Sequence, residues 1–341
     1  MLPLASAMAD APAAIPENVQ VYLIDSQPLT LIDTGARTPA SRAALEAALE
    51  ELGHGLADVE RVVVTHAHRD HMGLVQSIRD AGADLECLVH EADAPVVEAF
   101  PENVRRRVNA MTPLFREYGV PEEVLDRLHR DRIDSLSIDD AESESTVVDR
   151  VLRDGDRVEW KDFAFAVRHS PGHTAGHILL EDEDQALLFT GDQIMGQAVP
   201  YAENFYQSEL PDPEDALRRR PRFRGLVELR RSLRRLRGQP YKIFLPGYGG
   251  IIRRTDRAVR DTLLHYEVRL QRIDRGLSHL AAIGQDVTAF EIWKALFPVE
   301  ESLGEMRSHL ILLIGALDCL EDDGKLVTER RPDGVLTHHH R

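Results

Sequence analysis

The chain has 341 residues, 43% of them hydrophobic, which is enough for one large α/β domain and a smaller one. Its net charge of −17 argues against a protein that wraps nucleic acid or lies on an anionic membrane, since both depend on clustered cations. Cys87 and Cys319 are the only cysteines and sit in separate apolar runs, so no disulfide framework or thiolate ligand set is expected, and a reducing, cytoplasmic setting follows.

Met1 to Pro12 has small residues but neither the cationic start nor the apolar core of a signal peptide. No run reaches transmembrane length. Val21-Tyr22-Leu23-Ile24 and Leu29-Thr30-Leu31-Ile32 read as a hairpin, closed by the turn Asp33-Thr34-Gly35. Thr38-Pro39 supplies an N-cap and a first-turn proline for an Ala/Leu/Glu-rich helix that stops at Gly53. The strand Arg61 to Thr65 follows, then a helix from Met72 to Asp80 and a strand at Leu85 to Val89.

From Asp93 to Glu144 the pattern turns helical, as an insertion over one edge of the core. Strand signals return at Thr146 to Val148, Asp162 to His169, His177 to Leu180 and Ala186 to Thr190. Residues 212–237 read as helical, with Arg218-Arg219-Arg220 and Arg230-Arg231 on a solvated face, and Tyr241 to Leu245 as a last short strand. Beyond Arg253 come helices at Thr255 to Leu277, Ala289 to Phe297 and Ser308 to Asp322. A small two-stranded wing is expected from Lys325-Leu326-Val327 and Gly334-Val335-Leu336, and 337–341 is read as a frayed tail.

Thr65-His66-Ala67-His68-Arg69-Asp70-His71 places three imidazoles and a carboxylate in six residues after the apolar run Val62 to Val64. Three further segments stand at predicted strand ends: His173 in Ser170-Pro171-Gly172-His173-Thr174, Asp192 in Phe189-Thr190-Gly191-Asp192, and the Leu245-Pro246-Gly247 turn. Strand-end loops on one rim are where α/β folds place their sites, because the sheet fixes each loop base. Imidazole and carboxylate without thiolate suit a catalytic zinc, iron or manganese site more than a structural zinc. His66 and His68, two apart on extended chain, point to one side and can share an ion. Asp70 and His71, further along, are placed for a second.

With these motifs the sequence resembles the metallo-β-lactamase-fold hydrolases: His-x-His-x-Asp-His is present at 66 to 71, and the order of the ligand segments is kept across residues 20–253. The resemblance implies an αββα sandwich over 1–253, with the helical insertion at about 93–144. A helical, winged-helix-like unit at 254–336 follows. It further implies that His66, His68 and His173 hold one metal, Asp70 and His71 a second, and that Asp192 bridges both. Asp33 would support the ligand loop from behind, and His177 is read as packing behind it. Zinc, as one or two ions, is the expected cofactor, with Fe(II) or Mn(II) as alternatives.

One position departs. Many relatives have Pro-Gly-His-Gly where this chain has Pro246-Gly247-Tyr248-Gly249, and a phenol of pKa near 10 is a poor ligand at neutral pH. Either Tyr248 donates to the substrate's oxyanion, or the site holds a single ion, or the chain is an inactive relative. His265 is a candidate to replace the missing imidazole, and Tyr201, Phe205 and Tyr206 are candidate pocket walls. The expected activity is hydrolysis of a small ester, thioester or lactone, with Asp70 orienting or deprotonating water. The rivals are a mononuclear Fe(II) oxygenase resembling the persulfide dioxygenases, using His68, His173 and Asp192; a nuclease, which the charge opposes; and a binding or regulatory relative. The C-terminal helices are expected to act as a lid or as a homodimer surface.

Overall fold

The computed structural model describes residues 19–130, 143–196, 198–284, 287–297 and 303–341. Residues 1–18 of the expected first unit, 131–142 of the expected insertion and Gln197 of the loop after Asp192 lie outside them.

Side chains alternate along a strand, so one strand can feed two cores. In β3 (Arg61–Val63), Val62 packs to one side with Val64, while Val63 packs to the other. The first sheet runs β1 (Tyr22–Ile24), β2 (Thr30–Ile32), β3, β4 (Glu86–His90) and β5 (Arg150–Leu152), antiparallel at its first pair and parallel thereafter. The second contains β6 (Arg157–Glu159), β7 (Ala164–His169), β8 (Ile178–Asp182), β9 (Leu187–Gly191) and β12 (Ile243–Pro246), in the order β12-β9-β8-β7-β6, with β12 parallel to β9. Between the sheets Ile32, Val63, Leu88 and Leu152 meet Phe165, Val167, Ile178, Leu180 and Phe189.

The outer face of the first sheet is covered by α1 (Pro39–Glu51), α3 (Val75–Asp80) and α4 (Ala94–Glu98), with the single-turn α2 (Arg69–Met72) at the strand ends. Thr38 caps α1, its hydroxyl accepting from the Ser41 N–H at 3.1 Å. That bond satisfies one of the donors a helix start leaves without a partner. Against Leu179, Leu188 and Phe244 of the second sheet pack the end of α5 (Phe100–Glu117), α6 (residues 122–130) and α7 (Gly225–Leu236), together with α8 (Thr255–Ala282), α9 (Ala289–Leu296) and α10 (Leu303–Asp322). The result is an αββα sandwich whose C-terminal helices share one apolar core with α7. Among the described residues no helix is long and apolar enough to cross a membrane.

Several expectations are corrected. Residues 212–237 are not continuously helical: β11 (Arg222–Arg224) pairs with β10 (Asn204–Tyr206), and the helix starts only at Gly225. The strand expected at Thr146 to Val148 forms at Arg150–Leu152 instead, because Val147 faces solvent and the register to β4 starts at Arg150. The arginines do not all lie on a solvated face: Arg218 and Arg231 are exposed, but others are not. Arg230 is 2% exposed and pairs with Glu267 and Asp323, while Arg219 pairs with Asp215 and Glu321.

Residues 337–340 are not a frayed tail. β14 (Leu336–His340) pairs along its length with β13 (Leu326–Arg330), and His338 is buried against Tyr118, with ring centroids 5.8 Å apart. Burial pushes the His338 imidazole down to about 3, against the opposing pull of Asp318; His339, Arg219 and Arg222 add to the downward shift. An unfolded imidazole titrates near 6.5, so the unfolded chain binds this proton first. The stabilisation by neutral His338 is whole above pH ~6.5 and is lost as pH falls from there towards 3. Urea midpoints are therefore expected to drop between pH 7 and pH 5, with a shallower drop in His338→Phe. An identical pH slope in that variant would contradict this.

Candidate metal centre

The loop after β3 bends through residues 65–67 and turns into α2 after His68, whose own backbone is extended. His66 and His68 therefore project from the loop before the helix, whereas Asp70 and His71 sit within the helical turn. His173 follows β7, Asp192 follows β9 and Tyr248 follows β12, so the two sheets deliver all these side chains to one rim.

Three imidazole nitrogens converge. His66 Nε2 lies 3.1 Å from His68 Nδ1 and 3.2 Å from His173 Nε2. Asp192 Oδ2 stands 3.5 Å from His173 Nε2, and Asp192 Oδ1 stands 3.4 Å from His71 Nε2. The ligand atoms of His66, His68 and His173 lie within 4.8 Å of one another, and so do those of His66, His71 and Asp192. Asp70 belongs to neither group: its Oδ2 is 3.7 Å from His71 Nε2 and accepts a hydrogen bond from the Tyr248 hydroxyl. His265 is on α8 and is likewise outside both groups.

The outward ring nitrogens are engaged elsewhere, which leaves lone pairs pointing inward. His71 Nδ1 donates to Asp33 Oδ2 at 2.8 Å, and His173 Nδ1 to the Tyr201 carbonyl at 2.8 Å. His66 Nδ1 contacts the Thr65 hydroxyl at 3.0 Å; that hydroxyl donates to Asp33 Oδ2 at 2.8 Å, and the Thr65 N–H donates to Asp33 Oδ1. His177 is buried behind the cluster. Its Nε2 accepts the Asp192 N–H at 3.1 Å and its ring stacks on His66 at 5.1 Å.

The cluster fits a cation. His71 Nε2 and Asp192 Oδ1 are buried without a hydrogen-bond partner, an expensive state for polar atoms unless something occupies the space between them. Burial, reinforced by neighbouring histidines, holds His66 well below the usual imidazole range and His173 at about 4, so both present a lone pair at neutral pH. For His71 burial acts in the same direction, but Asp192, Asp33 and Asp70 outweigh it and raise the ring well above its usual range. Three carboxylates thus gather positive charge at one point, a demand that a divalent ion would also meet.

Tyr248 stands where the family pattern has histidine, and it is 5% exposed. Burial, then the charge of Asp70 and the hydrogen bond to it, raise its phenol above the ordinary range. Burial opposes ionisation of Asp70 too, but His71, His68 and the Tyr248 hydrogen bond outweigh it and hold the carboxyl at about 2. The preceding Gly247 is confined: a Cβ there would lie 2.3 Å from Asp192 Oδ1 and 2.8 Å from His71 Cε1. A bare backbone at this point is what allows the turn to close on the cluster.

Two residues were missed in the sequence. Asp93, expected only as the start of an insertion, is fully buried and accepts from the Ala67 N–H, the Thr174 hydroxyl and the Gly176 N–H at 2.7–2.9 Å. It ties the His66 loop to the His173 loop, and its place shortly after β4 matched that of the other strand-end carboxylates. Glu203 carried no such signal. It approaches His68 Nε2 at 3.5 Å and accepts from the Arg107 guanidinium, a residue 96 positions away on α5.

Beside the histidine cluster opens a cleft of about 270 Å³. Its floor is Ala67, His68, Arg69 and Asp70; one wall is α5, and Tyr201 and Phe205 stand in the other. Tyr206 does not line it; its hydroxyl donates to Glu117 at 2.7 Å.

The family model described as "Metallo-beta-lactamase superfamily" matches residues 14–248. The chain is 28% identical over 307 residues to the "Probable metallo-hydrolase" of Bacillus subtilis (strain 168), covering 87% of this chain and 88% of the relative. It is 26% identical over 180 residues to the hydroxyacylglutathione hydrolase of Haemophilus influenzae, covering 52% of this chain and 67% of that protein. The crystal structure of a metallo-beta-lactamase family protein from Thermus thermophilus superposes with a TM-score of 0.69 over 95% of this chain and 94% of that one, at 24% identity. Signature, sandwich and convergent histidines agree with these matches: the chain belongs to the metallo-beta-lactamase superfamily, a family of metal-binding hydrolases.

Proposed function

We propose that this protein hydrolyses an ester, thioester or lactone of a small molecule at a metal held on the rim of the sandwich. The observation that carries the reading is the convergence of His66 Nε2, His68 Nδ1 and His173 Nε2 within 3.2 Å steps beside an open cleft. The similarity to a hydroxyacylglutathione hydrolase supports a thioester among these substrates. His66, His68 and His173 would hold one ion, with Asp192 beside them, and His71 and Asp192 face a second position. Zinc suits this donor set, with Fe(II) or Mn(II) as alternatives. When bound, such an ion supplies hydroxide at neutral pH and polarises the carbonyl.

The chain's own groups then have defined tasks. Asp70, at the cleft floor and ionised, orients the attacking water through a carboxylate oxygen. Tyr248 acts as a positioning residue, not a ligand: its hydroxyl fixes Asp70 by donating to Oδ2. Asp33 and the Tyr201 carbonyl hold His71 and His173 in the tautomers that face inward. Water adds to the carbonyl carbon, the bond to the thiol sulfur or alcohol oxygen breaks, and the proton leaves with that group, giving an acid plus a thiol or alcohol.

A panel of thioesters, esters, lactones and β-lactams, assayed with zinc- and manganese-loaded protein, is expected to show turnover with at least one carbonyl class that disappears in His68→Ala. No His68-dependent turnover across the panel would sink the reading. For Tyr248→Phe, kcat is expected to fall by about 10–100-fold, the usual cost of losing an outer partner of a metal site, while metal content by mass spectrometry stays unchanged. Loss of metal in that variant would make Tyr248 a ligand instead.

A further inference from the structure

The cleft has one wall whose chemistry the hydrolytic machinery does not use. Phe100, Val104, Val108 and Met111 on α5 recur at spacings of four, four and three, which places them in one line along the helix. That line extends about 16 Å at 1.5 Å per residue, and it lines the same cleft as His68 and Asp70. Opposite it stands Phe205, and Arg107, the cation of this wall, is already committed. Its guanidinium donates to Glu203 and lies over the Phe205 ring, 4.3 Å from the centroid. The stripe therefore offers length and apolar surface, while its charge is neutralised from within. A polar or ionic substituent laid along these four apolar side chains would lose hydration, whereas methylene groups gain by burial.

We infer that this cleft takes the unbranched apolar acyl portion of the substrate, so that the protein acts on fatty acyl thioesters or esters rather than on short, polar acyl groups. The inference rests on the hydrolase reading above for its chemistry, but the cleft can be tested separately. With acetyl, butyryl and octanoyl thioesters of one small thiol, kcat/KM is expected to rise by about fourfold for each methylene that enters the cleft, the value of burying one such group. In Val104→Trp, and independently in Met111→Trp, the added indole fills the stripe, and the octanoyl-to-acetyl ratio is expected to fall at least tenfold. Two variants on separate turns guard against one that fails to fold. Hydrolysis with no chain-length dependence, or with a ratio unchanged in both folded variants, overturns the assignment and leaves the hydrolase reading standing. If no thioester is hydrolysed, the hydrolase reading stands or falls with the ester, lactone and β-lactam members of the panel, and saturation-transfer NMR with octanoate and acetate decides the cleft. Octanoate binding that is lost in the tryptophan variants supports it, and no preference for octanoate over acetate overturns it.

Discussion

Purified His173→Ala protein is expected to retain less than about a tenth of the metal of the parent and to lose at least 100-fold in turnover. The lower bound comes from the cost of losing merely an outer partner of such a site, about 10–100-fold in affinity or activity; removing a nitrogen that points at the ion costs more. His173 is also the one histidine of the first group brought by the second sheet, from the loop after β7, while His66 and His68 share a loop after β3. Its removal leaves two ligands on one segment and takes away one of the contacts that join the sheets at the rim. Metal content by mass spectrometry, beside hydrolysis of whichever panel substrate is turned over, checks it. Full metal content in a folded His173→Ala protein would contradict the assignment of the first group.

The second large effect lies away from the rim. Asp318→Ala is expected to cost about 3–5 kcal/mol of stability, because breaking a buried ion pair leaves the surviving charge uncompensated. Asp318 is 2% exposed on α10 and accepts two hydrogen bonds from Arg222 of β11, at 2.6 and 3.1 Å, and one from the Asn204 amide at 3.3 Å. Burial works against the Arg222 guanidinium, but Asp318 outweighs it, so Arg222 stays charged. Asp318 thus joins the C-terminal helices to the ribbon that carries Asn204, next to Glu203. Urea denaturation followed by circular dichroism measures the loss, and Arg222→Met/Asp318→Leu is expected to recover most of it, since an apolar pair leaves no buried charge. A loss below about 1 kcal/mol for Asp318→Ala would show that the pair is solvated and dispensable.

Corrections to the sequence reading share a cause. Arg230 and Arg219 look like surface residues because their partners Glu267, Asp323 and Glu321 are 37 to 102 positions away. Periodicity reports one face of one helix, and a partner on another helix leaves no trace in it. His338 to His340 read as a tail because polar histidines have no strand alternation of their own. Only pairing with Leu326–Arg330 and packing on Tyr118 give them a place. Arg222–Arg224 is likewise a strand by virtue of Asn204–Tyr206 opposite.

By itself the sequence determined the sandwich and the histidine and carboxylate motifs gathered at its rim. Apolar runs of strand length, stop signals such as Gly53, and four chemical motifs at strand ends are local properties, written in consecutive residues. It also determined that position 248 is a tyrosine, which makes that position unlike its counterparts in the family pattern. The tertiary structure decided what consecutive residues cannot encode: that Tyr248 reaches Asp70 across 178 positions, that Asp93 ties two ligand loops together, and that Glu203 and Arg107 meet over His68. These contacts depend on where two sheets and an inserted helix come to rest against each other. That placement is set by the summed burial of three apolar clusters rather than by any single stretch of chain.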